Sequence, residues 1–262
     1  MPIANKTKAA RPETAPRVLL YDIETGPNLA YCWGAYEQNV IDFARERDIL
    51  CFAWKWLGEK ETHALALPML PSYRKGGDNK RAHKALAQGL HALFCEADVV
   101  VGHNVQNFDD KMANTEFIIN GLPPPPPHRV VDTLQIARSK FRFNSNKLDD
   151  LGKRLGLGRK VKHRGFNMWL GCLEGDKKSW AEMVKYCVGD IALLEKVFLK
   201  FRPWVKMPNL NERTLGCPTC GKGPMQRRGW RRQVGVRLQR FQCFGCGAWA
   251  AGSTIKGVFQ FR

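Results

Sequence analysis

The feature that most constrains the fold is an apolar run that ends in two acids separated by one residue. In the stretch RVLLYDIETGPN, residues Arg17 to Ile23 read as a buried strand, with Asp22 and Glu24 at its end. Because alternate residues of a strand face the same side, the two carboxylates are expected to point together. Two like charges at this spacing repel, and burial raises the cost. Oxygen ligands of this kind suit Mg²⁺ or Mn²⁺, so the pair predicts a divalent-cation site; an exposed pair that caps a turn is the alternative.

The order of the apolar patterns predicts a mixed α/β layer architecture. Two aromatic-rich runs, LAYCWGAY and ILCFAWKWLG, are expected to continue the first strand as an antiparallel meander. Strands and helices then alternate, and the run DVVVGHN has the pattern of a buried parallel strand. In a long helix near the end of this region, Ser179 and Glu182 have the spacing of a capping box, with Ser179 as the N-cap. This order of elements indicates a mixed sheet flanked by helices.

Composition divides the chain into four segments. Residues 1–16 are polar, lack the apolar region of a secretory signal, and are expected to form a flexible leader. Residues 17–205 hold the strand and helix patterns, residues 206–214 form a linker, and residues 215–262 form a small separate module. No apolar run approaches the ~20 residues of a membrane-spanning helix. We therefore expect a cytoplasmic protein.

Charge and cysteine content limit the class of protein further. The formal net charge of +18 indicates a polyanionic partner, of which nucleic acid is the commonest; a merely basic surface is the alternative. The nine cysteines are odd in number and cannot all pair. Five of them are scattered in apolar surroundings, which indicates a reducing compartment and not a disulfide framework.

Two further polar clusters follow apolar elements. In VVVGHNVQNFDD a buried strand runs into a polar loop and Asp109 opens the next helix, where its role could be only that of a cap. Asp110 competes with Asp109 for any functional role. In YCVGD, Tyr186 and Asp190 are four residues apart and share one helix face; a hydrogen-bonding pair at the surface is the alternative.

Taken in order, DIET, HNVQNFD and YCVGD resemble the three motifs of the DEDD 3′→5′ exonucleases, which belong to the ribonuclease H-like superfamily. The tyrosine of the third motif is typical of the DEDDy subgroup. Within this subgroup, the chain resembles the proofreading domains of family B DNA polymerases and free-standing phage relatives. If a phage encodes the chain, the expected location is the host cytoplasm. The resemblance covers about Arg17 to Phe201 and implies a ribonuclease H-like mixed sheet flanked by helices. It favours Asp109 over Asp110, because Asp109 directly follows the NxxNF run. It implies that the carboxylates that hold the metals are Asp22, Glu24, Asp109 and Asp190. It also implies that Tyr186 lies beside the attacking water.

The chemistry of phosphodiester hydrolysis fits these residue types. Two divalent cations roughly 3.5–4 Å apart neutralise charge on the attacking and leaving oxygens. About four carboxylates suffice to hold two Mg²⁺ that also bind phosphate and water. We assign Asp22 as the bridging ligand, with Glu24 and Asp190 completing the metal that activates water. Asp109 is assigned to the leaving-group metal, and neutral Tyr186 to orienting the attacking water.

Two residues near these motifs have open roles. Asp132 stands at the end of a predicted strand, where it either supports the site or is structural. His163 lies in the basic stretch GRKVKHRG and is interpreted as a solvated or phosphate-contacting residue.

Near the C-terminus, two CxxC pairs are separated by 22 residues, a spacing typical of a structural Zn²⁺ site. A closed site of four thiolates leaves no open position, so the zinc is expected to be structural. The residues between the pairs are expected to form a β-hairpin, and the module resembles a zinc ribbon; redox activity is the competing interpretation. The four cysteines are Cys217, Cys220, Cys243 and Cys246.

The same module is strongly basic. No acid follows Glu212, whereas ten lysines and arginines do, and Trp230, Phe241 and Trp249 are interleaved with them. Cations for phosphates and rings for bases predict single-strand binding. In one alternative, the arginines offset the charge of the zinc thiolates and the aromatic rings form the small core of the module. In the other, the module docks onto a protein. The candidate nucleic-acid contacts are Arg227, Arg228, Trp230, Arg231, Arg232, Arg237 and Arg240.

Together these features predict a Mg²⁺-dependent exonuclease that releases nucleoside 5′-monophosphates from the 3′ end of DNA, with the zinc ribbon gripping the strand. We expect it to act alone or with a polymerase or another replication protein. The alternatives are an RNA substrate, a structure-specific endonuclease with the same site, or a catalytically inert nucleic-acid-binding protein.

Overall fold

The structure is a computed structural model that describes residues 16–34, 36, 39–205, 216–221, 224–233, 236–255 and 258–261, without the side chains of residues 231–237 and 253–262. One unit comprises Arg17–Phe198, and a second includes Leu199–Arg262. The predicted leader, apart from Pro16, and the predicted linker lie outside the described residues, so the four-segment division stays a prediction.

The first unit contains five strands of a central sheet, a two-stranded ribbon and six helices among its described residues. In chain order they are β1 (Val18–Thr25), β2 (Leu29–Tyr31), β3 (Asp42–Arg45), β4 (Ile49–Trp56), β5 (His63–Ala66), α1 (Lys80–Glu96), β6 (Val99–Gly102), α2 (Asp109–Ile119), β7 (Arg129–Asp132), α3 (Thr133–Lys140), α4 (Leu148–Arg154), α5 (Phe166–Leu173) and α6 (Lys177–Phe201).

The central sheet has the strand order β5-β4-β1-β6-β7. β4 runs antiparallel to both β1 and β5, whereas β6 and β7 run parallel to β1. This confirms the predicted mixed sheet, which is ribonuclease H-like.

β1 lies in the middle of this sheet because both of its faces are apolar. Leu19, Leu20 and Tyr21 are consecutive and fully buried, so each face of the strand packs against protein. Burying each such side chain stabilises the fold by about 1.5–3 kcal/mol. The four residues of β6 are also all buried, as expected for a parallel strand covered on both sides.

The parallel strands bring their carboxyl ends to one edge of the sheet. Leu20 pairs with Val101 between β1 and β6, and Gly102 pairs with Asp132 between β6 and β7. The loops after the three strands therefore meet at this edge, directly after Glu24. This is where ligand sites form in such sheets.

Two local predictions are wrong. The run LAYCWGAY does not continue the meander: Leu29–Tyr31 forms β2, which pairs only with β3 in a separate ribbon. Ser179 is not the N-cap of α6, because the Asp176 carboxylate accepts the bonds from the Ser179 and Lys178 amides, at 2.8 and 3.3 Å. The helix consequently begins at Lys177, three residues before the start that an N-cap at Ser179 implies.

The second unit contains an antiparallel sheet with the strand order β11-β10-β9-β8. Its strands are β8 (Met225–Gln233), β9 (Val236–Cys243), β10 (Trp249–Ile255) and β11 (Val258–Phe261). β8 and β9 form the hairpin expected between the two CxxC pairs. Within the described parts of the chain, no helix has the length and apolar character needed to cross a membrane.

Candidate active site

Asp22 and Glu24 face the same side of β1, as their spacing predicts. One carboxylate oxygen of each lies within 4.8 Å of the other and of the Cys187 sulfur. Burial and repulsion from Asp109 and Glu24 raise the pKa of Asp22 well above its ordinary value. Burial and the charge of Asp190 raise the pKa of Glu24 to about 8. Without a cation, Glu24 therefore retains its proton at neutral pH.

Asp109 approaches the same strand from the start of α2. It is 3% exposed, and its Oδ1 accepts a hydrogen bond from the Ile23 amide at 3.0 Å. Burial raises the pKa of Asp109 to about 7. The next carboxylate, Asp110, lies 4.0 Å from His128 Nε2 instead. The geometry thus distinguishes the two acids: Asp109, and not Asp110, is bonded to the strand that carries Asp22.

Asp132 has a structural role at this edge of the sheet. Its carboxylate accepts hydrogen bonds from the Asn104 and Gln106 amides, at 2.9 and 3.3 Å. It also accepts from the Leu134 amide and so caps α3. Asp132 therefore fixes the loop that leads into Asp109.

Helix α6 carries Tyr186 and Asp190 to the cleft. Asp190 is 2% exposed, and burial raises its pKa. Among the residues that the structure describes, its buried Oδ1 has no hydrogen-bond partner. The Cys187 thiol donates to the backbone oxygen of Asp22 at 3.6 Å, which ties α6 to β1. An unpartnered buried carboxylate oxygen beside two further acids fits the donor set of a divalent cation.

Lys160 completes the site and was not singled out from the sequence. Its Nζ donates to Tyr186 Oη at 2.9 Å and to Asp190 Oδ2 at 2.5 Å. Burial acts to lower the pKa of Lys160, but the charge of Asp190 and the hydrogen bonds to Asp190 and Tyr186 together outweigh it, and the pKa is raised. No sequence signal separates Lys160 from Lys162, since both lie in one basic stretch.

Gly189 explains how the segment of Lys160 comes so close to α6. A Cβ built on Gly189 would lie 2.5 Å from Cγ2 of Val161. The glycine in YCVGD therefore leaves room for the Val161 side chain, next to Lys160.

The interpretation of His163 as a solvated residue is wrong. Its ring lies 4.6 Å from the Tyr186 ring and 5.2 Å from the Trp169 ring, between centroids. It also accepts a hydrogen bond from the Gly165 amide at 3.1 Å. His163 thus supports one side of Tyr186.

The structure brings the five catalytic candidates to one region, at different distances. Asp22 and Glu24 belong to one group with Cys187, whose ligand atoms lie within 4.8 Å of one another. Asp109 and Asp190 lie outside this group and act on it through their charge.

The four cysteines of the second unit form a separate cluster. All four sulfurs lie within 4.8 Å of one another. The Cys217–Cys246 and Cys220–Cys243 sulfurs are each 3.7 Å apart. A tetrahedral site with Zn–S bonds of about 2.3 Å has sulfurs about 3.8 Å apart, so this cluster fits one zinc ion.

The basic residues of this unit are only partly described. Arg227 and Arg228 are exposed, Trp230 is half-exposed, and the Arg240 guanidinium lies 5.5 Å from the centre of the Trp249 ring. Phe241 is buried, which favours for this ring the alternative of a small aromatic core. The side chains of Arg231, Arg232 and Arg237 lie outside the described residues.

Comparison with known proteins agrees with this architecture. A family model described as Exonuclease (RNase_T) matches residues 75–167, which is less than half of the chain. The matched range includes Asp109 and Lys160. It does not include Asp22, Tyr186 or Asp190. No curated protein matches the chain.

Among solved structures, the family B DNA polymerase from the hyperthermophilic archaeon Pyrobaculum calidifontis is similar, with a TM-score of 0.52 and 16% identity over 72% of this chain. The chain spans 25% of that polymerase. The structural similarity shows the fold, which is ribonuclease H-like. The match to the exonuclease family model supports nuclease activity in general.

Proposed function

We propose that the chain is a metal-dependent 3′→5′ exonuclease that hydrolyses single-stranded DNA to nucleoside 5′-monophosphates. The observation that carries the proposal is that Asp109 and Asp190 approach the Asp22–Glu24 pair, where their charges add to burial in raising the pKa of both acids. Burial raises the pKa of Asp109 and Asp190 themselves. A cluster of acids with raised pKa values is unfavourable unless cations neutralise it, and such perturbed groups concentrate at functional sites.

The carboxylates would hold the cations. Asp22 interacts with the charge of each of the other three acids and is assigned to both ions. Glu24 and Asp190 are assigned to one ion, and Asp109 to the other. Two Mg²⁺ or Mn²⁺, when bound, supply Lewis-acid stabilisation of the phosphate and of the attacking water. Asp109 is held in place by the Ile23 amide, so its orientation is fixed before substrate binds.

Tyr186 and Lys160 would position the water. Burial raises the pKa of Tyr186, so the phenol is neutral at physiological pH. Lys160 donates to the phenol oxygen and the phenol also bonds Asp190, so the hydroxyl would be held beside the carboxylates, where it would contact a water in the cleft. The same ammonium holds Asp190 and brings positive charge to a site that receives phosphate. We therefore regard Lys160 as a positioning residue.

The cysteine module would act as a zinc ribbon that grips the strand. Its donor set and sulfur spacing support one structural Zn²⁺, and the exposed Arg227 and Arg228 support contact with phosphates. A polymerase or another replication protein is the proposed partner, and the cytoplasm is the proposed location.

The test uses single strands labelled at the 3′ or the 5′ end, incubated with Mg²⁺ or without added divalent cation. Stepwise release of the 3′-terminal label as a mononucleotide, with Mg²⁺ only, is expected. Internal cuts would indicate an endonuclease, faster turnover of RNA would change the substrate, and no metal-dependent product would leave an inert binding protein.

A further inference from the structure

Two cavities lie side by side on the nuclease unit and share Ser145. The first, of about 590 Å³, begins at Lys160 and His103 and is also lined by Arg138 and Lys147. The second, of about 760 Å³, is lined by residues 142–145, Asp150, Lys153 and Arg154. We call the two cavities together the 138–154 groove. One end of this groove touches the lysine that is bonded to Tyr186 and Asp190.

Exposed cations line the whole length of this groove. Five arginines and lysines of its lining are exposed at the surface. They are Arg138, Arg142, Lys147, Lys153 and Arg154.

The two acids of the groove are engaged in local bonds. Asp149 pairs with Arg159 at 2.7 Å and accepts from the Lys160 amide at 2.8 Å. Asp150 accepts from the Ser145 hydroxyl at 2.6 Å. The groove therefore presents a net positive surface that leads away from the candidate catalytic centre.

An aromatic surface accompanies these charges. The Phe141 and Phe143 rings lie 5.4 Å apart, both half-buried, and Phe143 lines the second cavity. Cations that follow a backbone, together with rings against which bases stack, are the usual means of holding single strands without regard to sequence. An acidic protein segment would gain little from the rings.

We propose that the 138–154 groove holds the phosphates of a single-stranded nucleic acid on the side of the nucleotides that remain after cleavage. The proposal rests on the proposed function of the site at its end. An exonuclease must hold several nucleotides beside the bond it cuts, and phosphate contacts position a strand without reading its sequence. The groove would thus provide phosphate contacts in addition to those proposed for the ribbon.

The test is the salt dependence of binding to a fluorescent oligothymidylate, measured by anisotropy with the full-length chain carrying Asp22→Asn to prevent cleavage. The groove variant combines Arg142→Gln, Lys153→Gln and Arg154→Gln. Three lost phosphate contacts at about 0.7 each should reduce the slope of log K against log salt by about 2. Glutamine keeps the length and helix propensity of the side chains, so α4 should be retained.

The matched control removes three exposed cations from the start of α1 by Lys80→Gln, Arg81→Gln and Lys84→Gln. Its slope should equal that of the parent protein. Equal slopes for the groove and control variants would overturn the proposal. The proposal would also be overturned if the groove variant lost as much affinity for polyglutamate as for the oligonucleotide.

A second measurement needs no groove variant. The slope of the parent protein should increase between oligonucleotides of roughly three and roughly nine nucleotides, as the groove fills; a slope independent of length would overturn the proposal.

Activity separates this proposal from the proposed function. On a p-nitrophenyl ester of thymidine 5′-monophosphate, which is too small to reach the groove, the groove substitutions in a chain that retains Asp22 should leave turnover unchanged. If the unaltered chain lacks metal-dependent turnover, the proposed function fails, while the binding measurement still decides the role of the groove.

Discussion

Replacing Glu24 with Gln should stabilise the metal-free protein at high pH and leave it unchanged at low pH. The folded state raises the pKa of Glu24 from 4.5 to about 8, chiefly because the carboxyl is buried and faces Asp190. Between these pH values the unfolded chain releases the proton while the folded chain keeps it. The free energy of unfolding therefore decreases as pH rises through this window. Because Gln does not ionise, the Glu24→Gln variant does not lose this stability.

The size of the effect follows from the shift. A change from 4.5 to about 8 corresponds to at most about 5 kcal/mol above pH 8, at about 1.36 kcal/mol for each pKa unit. Because neighbouring acids share the repulsion, we expect about 2–5 kcal/mol. For a unit of this size that is an increase in Tm of about 5–15 °C.

The assay is thermal unfolding at pH 5 and pH 9 without added divalent cation, so that any bound zinc is left in place. The same substitution at exposed Glu61 is the matched control and should change Tm little at either pH. Added Mg²⁺ should stabilise the unaltered chain at pH 9 and so reduce the advantage of the Glu24→Gln variant, because the cation binds the folded carboxylates. A Glu24→Gln protein no more stable than the parent at pH 9 would refute the claim that these acids repel one another.

Three further substitutions test the surroundings of the site. Lys160→Met should lower kcat by about 10²-fold with little change in oligonucleotide Kd, because Tyr186 and Asp190 lose the group that orients them; steady-state kinetics would contradict this if kcat stayed within a factor of about three. Gly189→Ala should cost about 1–3 kcal/mol in urea unfolding, because its Cβ meets Val161 at 2.5 Å; an unchanged unfolding midpoint would argue against that close packing. Cys243→Ser should reduce bound zinc, measured by elemental analysis, and leave turnover of the p-nitrophenyl ester intact; full zinc content would exclude the four-sulfur site.

The sequence was sufficient for the central sheet and for the positions of the acids. Residue alternation placed Asp22 and Glu24 on one side of β1, and helical spacing placed Tyr186 and Asp190 on one face of α6, because both patterns follow from local backbone geometry. The choice of Asp109 over Asp110 required the resemblance to a family. The hydrogen bond from the Ile23 amide now gives it a physical reason.

The sequence was not sufficient for contacts between distant segments. Lys160 contacts residues 26 and 30 positions away, and nothing in its basic neighbourhood distinguishes it from other lysines. The start of α6 was misplaced because both Asp176 and Ser179 are good N-caps, and the tertiary structure engages the aspartate. The position of Phe241 between cations does not reveal that its side chain is buried.

The most direct test of the account is the position of Mn²⁺ in crystals grown with that ion, located from its anomalous scattering. The account predicts two Mn²⁺ peaks in contact with the carboxylates of Asp22, Glu24, Asp109 and Asp190, and loss of both when Asp22 is replaced by Asn. Ordered acids without Mn²⁺, or ions bound only elsewhere on the chain, would contradict it.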